Sequence, residues 1–102
     1  MKPEQIYQHL KEIAEKLNVE ISEENLKKSG LRAQSGFCKI KDKGKFIMDK
    51  HLSVSDKNSI LAAFISETPH DDIFIVPAVR DFIQANASYL QRLKKRQRDA
   101  YH

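Results

Sequence analysis

The chain has one cysteine, Cys38, so no internal disulfide can form, which fits a reducing compartment. Its longest apolar run spans only six residues, 60–65. A bilayer-spanning helix needs about 20, so no membrane span is expected. The opening Lys2-Pro3-Glu4-Gln5 leads into a charged stretch without the apolar run of a secretory signal. There is no CxxC, no HExxH and no histidine pair at helical spacing, so no metal site is expected, and no cofactor motif occurs. Repeats are absent, and the one biased segment is the basic C-terminal end. These absences point to a cytoplasmic protein that is not in a membrane. Its 102 residues suit one domain, and a chain of this size buries about two-thirds of the surface it exposes unfolded. That is enough for one core without disulfides or metal.

The charge is unevenly placed. Of 18 cations and 14 anions, five cations (Arg92, Lys94, Lys95, Arg96, Arg98) and one anion (Asp99) lie in residues 92–102. The first 91 residues therefore hold 13 of each, and the whole excess sits at the end of the chain. Any long-range attraction to a polyanion comes mostly from there. The expected organisation is a single domain over residues 1–93 followed by a basic helix end or tail over 94–102.

Periodicity predicts a helix over 3–18, with Ile6, Leu10, Ile13 and Leu17 on one face and Pro3 in the first turn. Residues 19–21 alternate and are a candidate edge strand. Residues 22–36 read as a loop with one helical turn around 23–28. A hairpin is expected over 37–49. A two-residue loop would set Ile40 opposite Ile47. A type I turn with Gly44 as a bulge residue would set Ile40 opposite Phe46 and Cys38 opposite Met48, and we favour it because it gathers four apolar side chains on one face and sends Lys39, Lys41 and Lys45 to the other. A second helix is predicted over 55–66, capped by Ser55. The apolar run Ile73-Phe74-Ile75-Val76 reads as a strand, over 72–76, buried on both faces. Pro77 opens a third helix reaching to about residue 97. The fold class is thus α+β: a small mixed sheet (hairpin 37–49 plus strand 72–76, with 19–21 at an edge) and three helices packed mainly on one face, the second helix forming a right-handed crossover.

The leading expectation for function is a non-enzymatic binding or protein-interaction module. Asn86 interrupts the apolar stripe of the third helix, and a polar residue in such a seam can set the register of a helix–helix interface. With Tyr89, Leu90 and Leu93 it forms the expected partner surface, for a second copy or another protein. The alternative is a weak nucleic-acid binder using Lys39, Lys41 and Lys45 of the hairpin with Arg92, Lys94, Lys95, Arg96 and Arg98, which could neutralise phosphates. These five terminal cations form a collar around a helix rather than a stripe aimed at one groove. A third reading is an enzyme with Cys38 as nucleophile, His51 or His70 as base, and Asp49, Asp71 or Asp72 to orient it. Arg80 sits in the first turn of the third helix, where a cation is electrostatically unwelcome, and so should pair with Asp49 or another acid or bind an anion.

Gly36-Phe37-Cys38, Ile47-Met48-Asp49-Lys50 and the stretch from Ile73 to Arg80 together resemble an uncharacterised family of short bacterial proteins, with a glycine-x-cysteine strand and an apolar strand running into proline-x-valine-arginine. The likeness covers roughly residues 35–83. It implies a bacterial cytoplasmic protein without assigned activity and marks Cys38 and Arg80 as positions to test.

Overall fold

The computed structural model describes residues 1–25, 36–40 and 43–89, with the backbone alone at 36–40 and 43. The described elements are α1 (Pro3–Lys16), β1 (Val19–Glu24), β2 (Gly36–Ile40), β3 (Lys43–Asp49), α2 (Val54–Ser66) and α3 (Pro77–Ala85). The α+β class and the three helices agree with the sequence. The sheet has the order β1-β3-β2, with β1 parallel and β2 antiparallel to the central β3.

α1 begins at Pro3, whose missing N–H is no loss in a first turn. Gln5 Oε1 accepts from the Lys2 N–H at 2.9 Å. The helix stops because Asn18 takes a left-handed conformation (φ 64°), which asparagine tolerates and which commonly ends helices. Its buried face is Tyr7, Leu10, Ile13 and Ala14, while Ile6 and Leu17 are only half-buried. The Asn18 turn feeds straight into β1, and the Asn18 carbonyl accepts from Gly44 N at 3.1 Å to open the parallel ladder Val19↔Gly44 through Glu24↔Asp49. β1 thus runs three residues beyond the alternating 19–21, and the helical turn predicted from Glu23 is replaced by strand at 23–24; residues 26–28 lie outside the described residues.

That ladder also corrects the hairpin. Neither expected register occurs: Phe37 pairs with Phe46, Cys38 with Lys45, Lys39 with Gly44 and Ile40 with Lys43. Gly44 lies inside β3, where its N–H donates to Asn18 O, so Ile40 already pairs with Lys43; residues 41–42 lie outside the described residues. Gly44, Phe46 and Met48 form the buried face of β3, alternating with partly exposed Lys45, Ile47 and Asp49. Positions 39 and 45 therefore fall on opposite parities of the pairing, rather than on one lysine face.

α2 is capped by Ser53, not Ser55: Ser53 Oγ accepts from Asp56 N at 3.1 Å, and Asp56 lies at the positive end of the helix dipole. Every residue from 60 to 65 is buried. A helix that is apolar all round must be covered all round, and α2 is: it packs against α1 and α3, and its Phe64 ring meets Phe46 of β3 at 4.8 Å between centroids.

Residues 72–76 do not form a strand. Both sides of β3 are already occupied, and the short connection after α2 brings 73–76 back along α1 instead of across the sheet. The expected crossover is consequently absent, and the parallel pair is β1–β3. Only Ile75 of this run is buried, whereas Phe74 is 79% exposed. α3 then starts at Pro77 and ends at Ala85; Tyr89 is again helical, and the rest of the expected reach, 90–97, lies outside the described residues. Asn86 is the stop. Its backbone leaves helical geometry (φ −106°, ψ 11°), and its Nδ2 donates to the Phe82 carbonyl at 2.9 Å. The following turn closes with Tyr89 N donating to Asn86 O at 3.0 Å. No described helix is long and apolar enough to cross a membrane.

Candidate functional site

Four places concentrate chemistry. The first lies where α1, β1 and the start of α2 meet. Lys57 Nζ is 2.5 Å from Glu23 Oε1, and Lys11 and Lys57 stand 5.0 and 5.8 Å from the centre of the Tyr7 ring. The Lys57 ammonium bonded to Glu23 holds this carboxyl below its ordinary range, against the opposing effect of partial burial. Burial pushes the Tyr7 phenol well above its ordinary value, and the negative charge of Glu23 adds to this. Tyr7 Oη is buried and forms no well-aligned hydrogen bond among the described residues, although Glu23 lies close enough to interact with it. A phenol that resists ionisation and a carboxylate saturated by lysine are poorly suited to moving protons near neutral pH, so this cluster reads as a clasp holding α2 to the sheet edge. Nearby, Asn58 is 2% exposed and donates to Pro3 O at 2.9 Å, while its Oδ1 is buried and has no partner among the described residues.

The second place is a cleft of about 170 Å³ between the turn after α2 and the outer side of α3, bordered by His70, Asp71, Arg80, Ile83 and Gln84. His70 Nδ1 lies 2.7 Å from Thr68 O. A carbonyl can only accept, so Nδ1 carries the proton and Nε2 is the free nitrogen of the neutral ring. Arg80 is exposed and forms no ion pair with a described residue. Its expected pairing with Asp49 does not occur, because α3 packs against α2 and α1 instead of lying along β3.

The third is the end of β3. Asp49 Oδ1 accepts from His51 N at 3.0 Å, a local turn rather than two ligands facing one ion. No group of three or more potential metal ligands occurs among the described residues. The Cys38 side chain lies outside them; its backbone is opposite Lys45 instead of Met48.

The fourth is the surface around Phe74. The segment 73–79, apolar on either side of Pro77, runs along α1, with Ile75 and Val79 buried, Ile73 and Val76 half-buried, and Phe74, Pro77 and Ala78 exposed. Beside Phe74 is a groove of about 200 Å³, floored by Ile13, Ile75 and Val79 and rimmed by His9, Glu12 and Lys16. Single exposed apolar side chains are ordinary on protein surfaces. A phenylalanine at the edge of a groove with buried apolar residues beneath it and a polar rim is more informative.

Of the partner surface expected on the third helix, Asn86 is used in closing its own helix and Tyr89 packs partly on the core. Leu90, Leu93 and the cations Arg92, Lys94, Lys95, Arg96 and Arg98 lie outside the described residues, as does Lys41. Sequence reasoning found the 73–76 run but missed that one of its side chains faces water. The flanking Asp71-Asp72 and Pro77 are the available signal, since both limit how long a strand there can be. The Tyr7 cluster was also missed; Tyr7, Leu10 and Ala14 at spacings of three and four mark the true buried face.

The chain matches no family model, no curated protein and no solved structure.

Proposed function

We propose that this protein is a non-enzymatic protein-interaction module that docks partners through the apolar surface centred on Phe74. The observation supporting this reading is the 79% exposure of Phe74 on a continuous apolar stretch, beside a groove with a buried apolar floor. Burying such a side chain is worth about 1.5–3 kcal/mol, an energy the domain leaves unused and a partner can collect. Large aromatic anchors set against small pockets are also what dominates binding energy at interfaces. The groove is smaller than the ~300 Å³ at which small-molecule sites begin, which favours a side chain over a metabolite as its occupant.

The test is site-directed photo-crosslinking in the cells that make the protein, with a photoreactive phenylalanine analogue at position 74 and, as a control, at the exposed position 67. A discrete higher-mass adduct from 74 but not from 67 is expected. If position 74 yields no adduct, or yields the same pattern as 67, the surface does not dock proteins and the reading fails.

A further inference from the structure

We infer that the partner of the Phe74 surface is a second copy of this chain, with the Phe74 ring of each copy seated in the groove beside Phe74 of the other. This deepens the docking reading above and rests on it.

Three features converge. Knob and hole are adjacent: Phe74 projects from the edge of the groove floored by Ile13, Ile75 and Val79. A two-fold axis beside Phe74 carries each ring over the opposite groove, and one patch serves both sides of the contact, as an isologous interface requires. The rim is self-complementary in charge. Glu12 and Lys16 border the groove one helical turn apart on α1, and both are exposed. A two-fold that brings the α1 helices together antiparallel sets each Glu12 against the other copy's Lys16. A partner of uniform charge would meet one of them with the wrong sign. The apolar centre of the patch, Phe74 with Val76, Pro77 and Ala78, carries no charge that a second copy would have to strip of water.

The size of the patch sets the strength. A phenylalanine buries about 150–250 Å², against ~800 Å² per partner in a stable complex. The dimer is therefore a weak, reversible one, populated between about 10 μM and 1 mM.

Sedimentation equilibrium of the full chain over that range tests it. The mass is expected to climb from 11.8 kDa towards twice that value. Phe74→Ser should weaken association at least about tenfold, as the loss of a central aromatic anchor does. Glu12→Lys and Lys16→Glu should each impair self-association, because each sets like charges across the axis, whereas an equimolar mixture of the two variants should restore dimers as the mixed species. Circular dichroism of each variant checks that the fold persists; all three positions are exposed. A chain monomeric at the top of the range overturns the inference. So do dimers indifferent to Phe74→Ser, or a mixture of the charge variants that associates no better than either alone. A monomer that still gives a discrete adduct from position 74 in cells refutes self-docking while leaving the interaction module standing. Indifference to Phe74→Ser without any adduct removes both.

Discussion

Two apolar runs in this chain meet opposite fates. Residues 60–65 of α2 are all buried, none more than 8% exposed. Residues 73–76 are as apolar but bury only Ile75 to that degree and leave Phe74 in water. The difference is one of neighbours rather than hydrophobicity. α2 has α1 on one side, α3 on another and the sheet on a third. The later run has α1 and the core beneath it and nothing described above it. Burial inside a domain is decided by how many elements can reach a segment: the run in α2 is fully covered within the chain, whereas 73–76 is covered on a single side among the described residues.

The comparison can be broken first at α2. Leu61→Ala removes a fully buried side chain from the covered run and should cost about 2–5 kcal/mol in urea unfolding, with the midpoint falling and the slope preserved. Against a total of about 5–15 kcal/mol for a domain, this is a large fraction. A loss below about 1 kcal/mol would mean that α2 is not the saturated centre described above. Next in size is the polar start of the same helix. Ser53→Ala deletes the cap on Asp56 N and should cost about 1 kcal/mol, while Ser55→Ala, beyond the cap, should cost little. Reversal of that order would restore the cap expected from sequence.

The clasp at Lys57 shows how much of the anchorage of α2 is charge. Because Lys57 holds the Glu23 carboxyl below its unfolded value, the folded state binds the proton less readily than the unfolded chain. Stability from this pair is therefore fully present above the ordinary carboxylate range and lost as pH falls through the lowered value. Glu23 is partly exposed, so the contribution is below about 1 kcal/mol. Lys57→Met should flatten the acid limb of stability against pH. An unchanged limb would assign the pair no energetic role. Tyr7 gives the opposite limb: its phenol is raised in the fold, so stability falls as pH rises above the unfolded phenol value near 10, and Tyr7→Phe should abolish that loss. At neutral pH the same substitution should be tolerated, because it removes a buried hydroxyl that makes no well-aligned hydrogen bond among the described residues.

Local signals were legible in the sequence; long-range pairings were not. Pro3 and the 3.6-residue spacing located α1, and the six-residue run with Thr68-Pro69 behind it located α2, because these are properties of a segment by itself. The hairpin register was missed because it depends on β1: Gly44 looks like a turn residue until Asn18, 26 positions earlier, claims its N–H. The strand expected at 72–76 failed for a similar reason, since occupancy of both edges of β3 cannot be read from Ile73-Phe74-Ile75-Val76. Asn86 interrupts an apolar stripe, and in the fold it caps α3 at Ala85. The candidate site was half legible: the run was visible, its exposure was not. No periodic pattern distinguishes a four-residue segment buried on both faces from one buried on a single face.

The smallest expected effect is the most discriminating. Phe74→Ser should change unfolding free energy by no more than about 0.5 kcal/mol when measured at low protein concentration, because the side chain is already in water in the folded monomer. Phe46→Ala, by contrast, removes an aromatic of the same size from the other end of the exposure scale, 1% exposed, and should cost about 3–5 kcal/mol. Two phenylalanines in one small domain thus separate folding from docking. Anything that binds the folded state alone raises apparent stability by mass action. The unsubstituted chain should therefore melt at a temperature that rises with protein concentration, while the melting of Phe74→Ser stays constant. A Phe74→Ser chain that is several kcal/mol less stable at low concentration would place this ring in the core of the monomer, and the contrast between the two apolar runs would disappear.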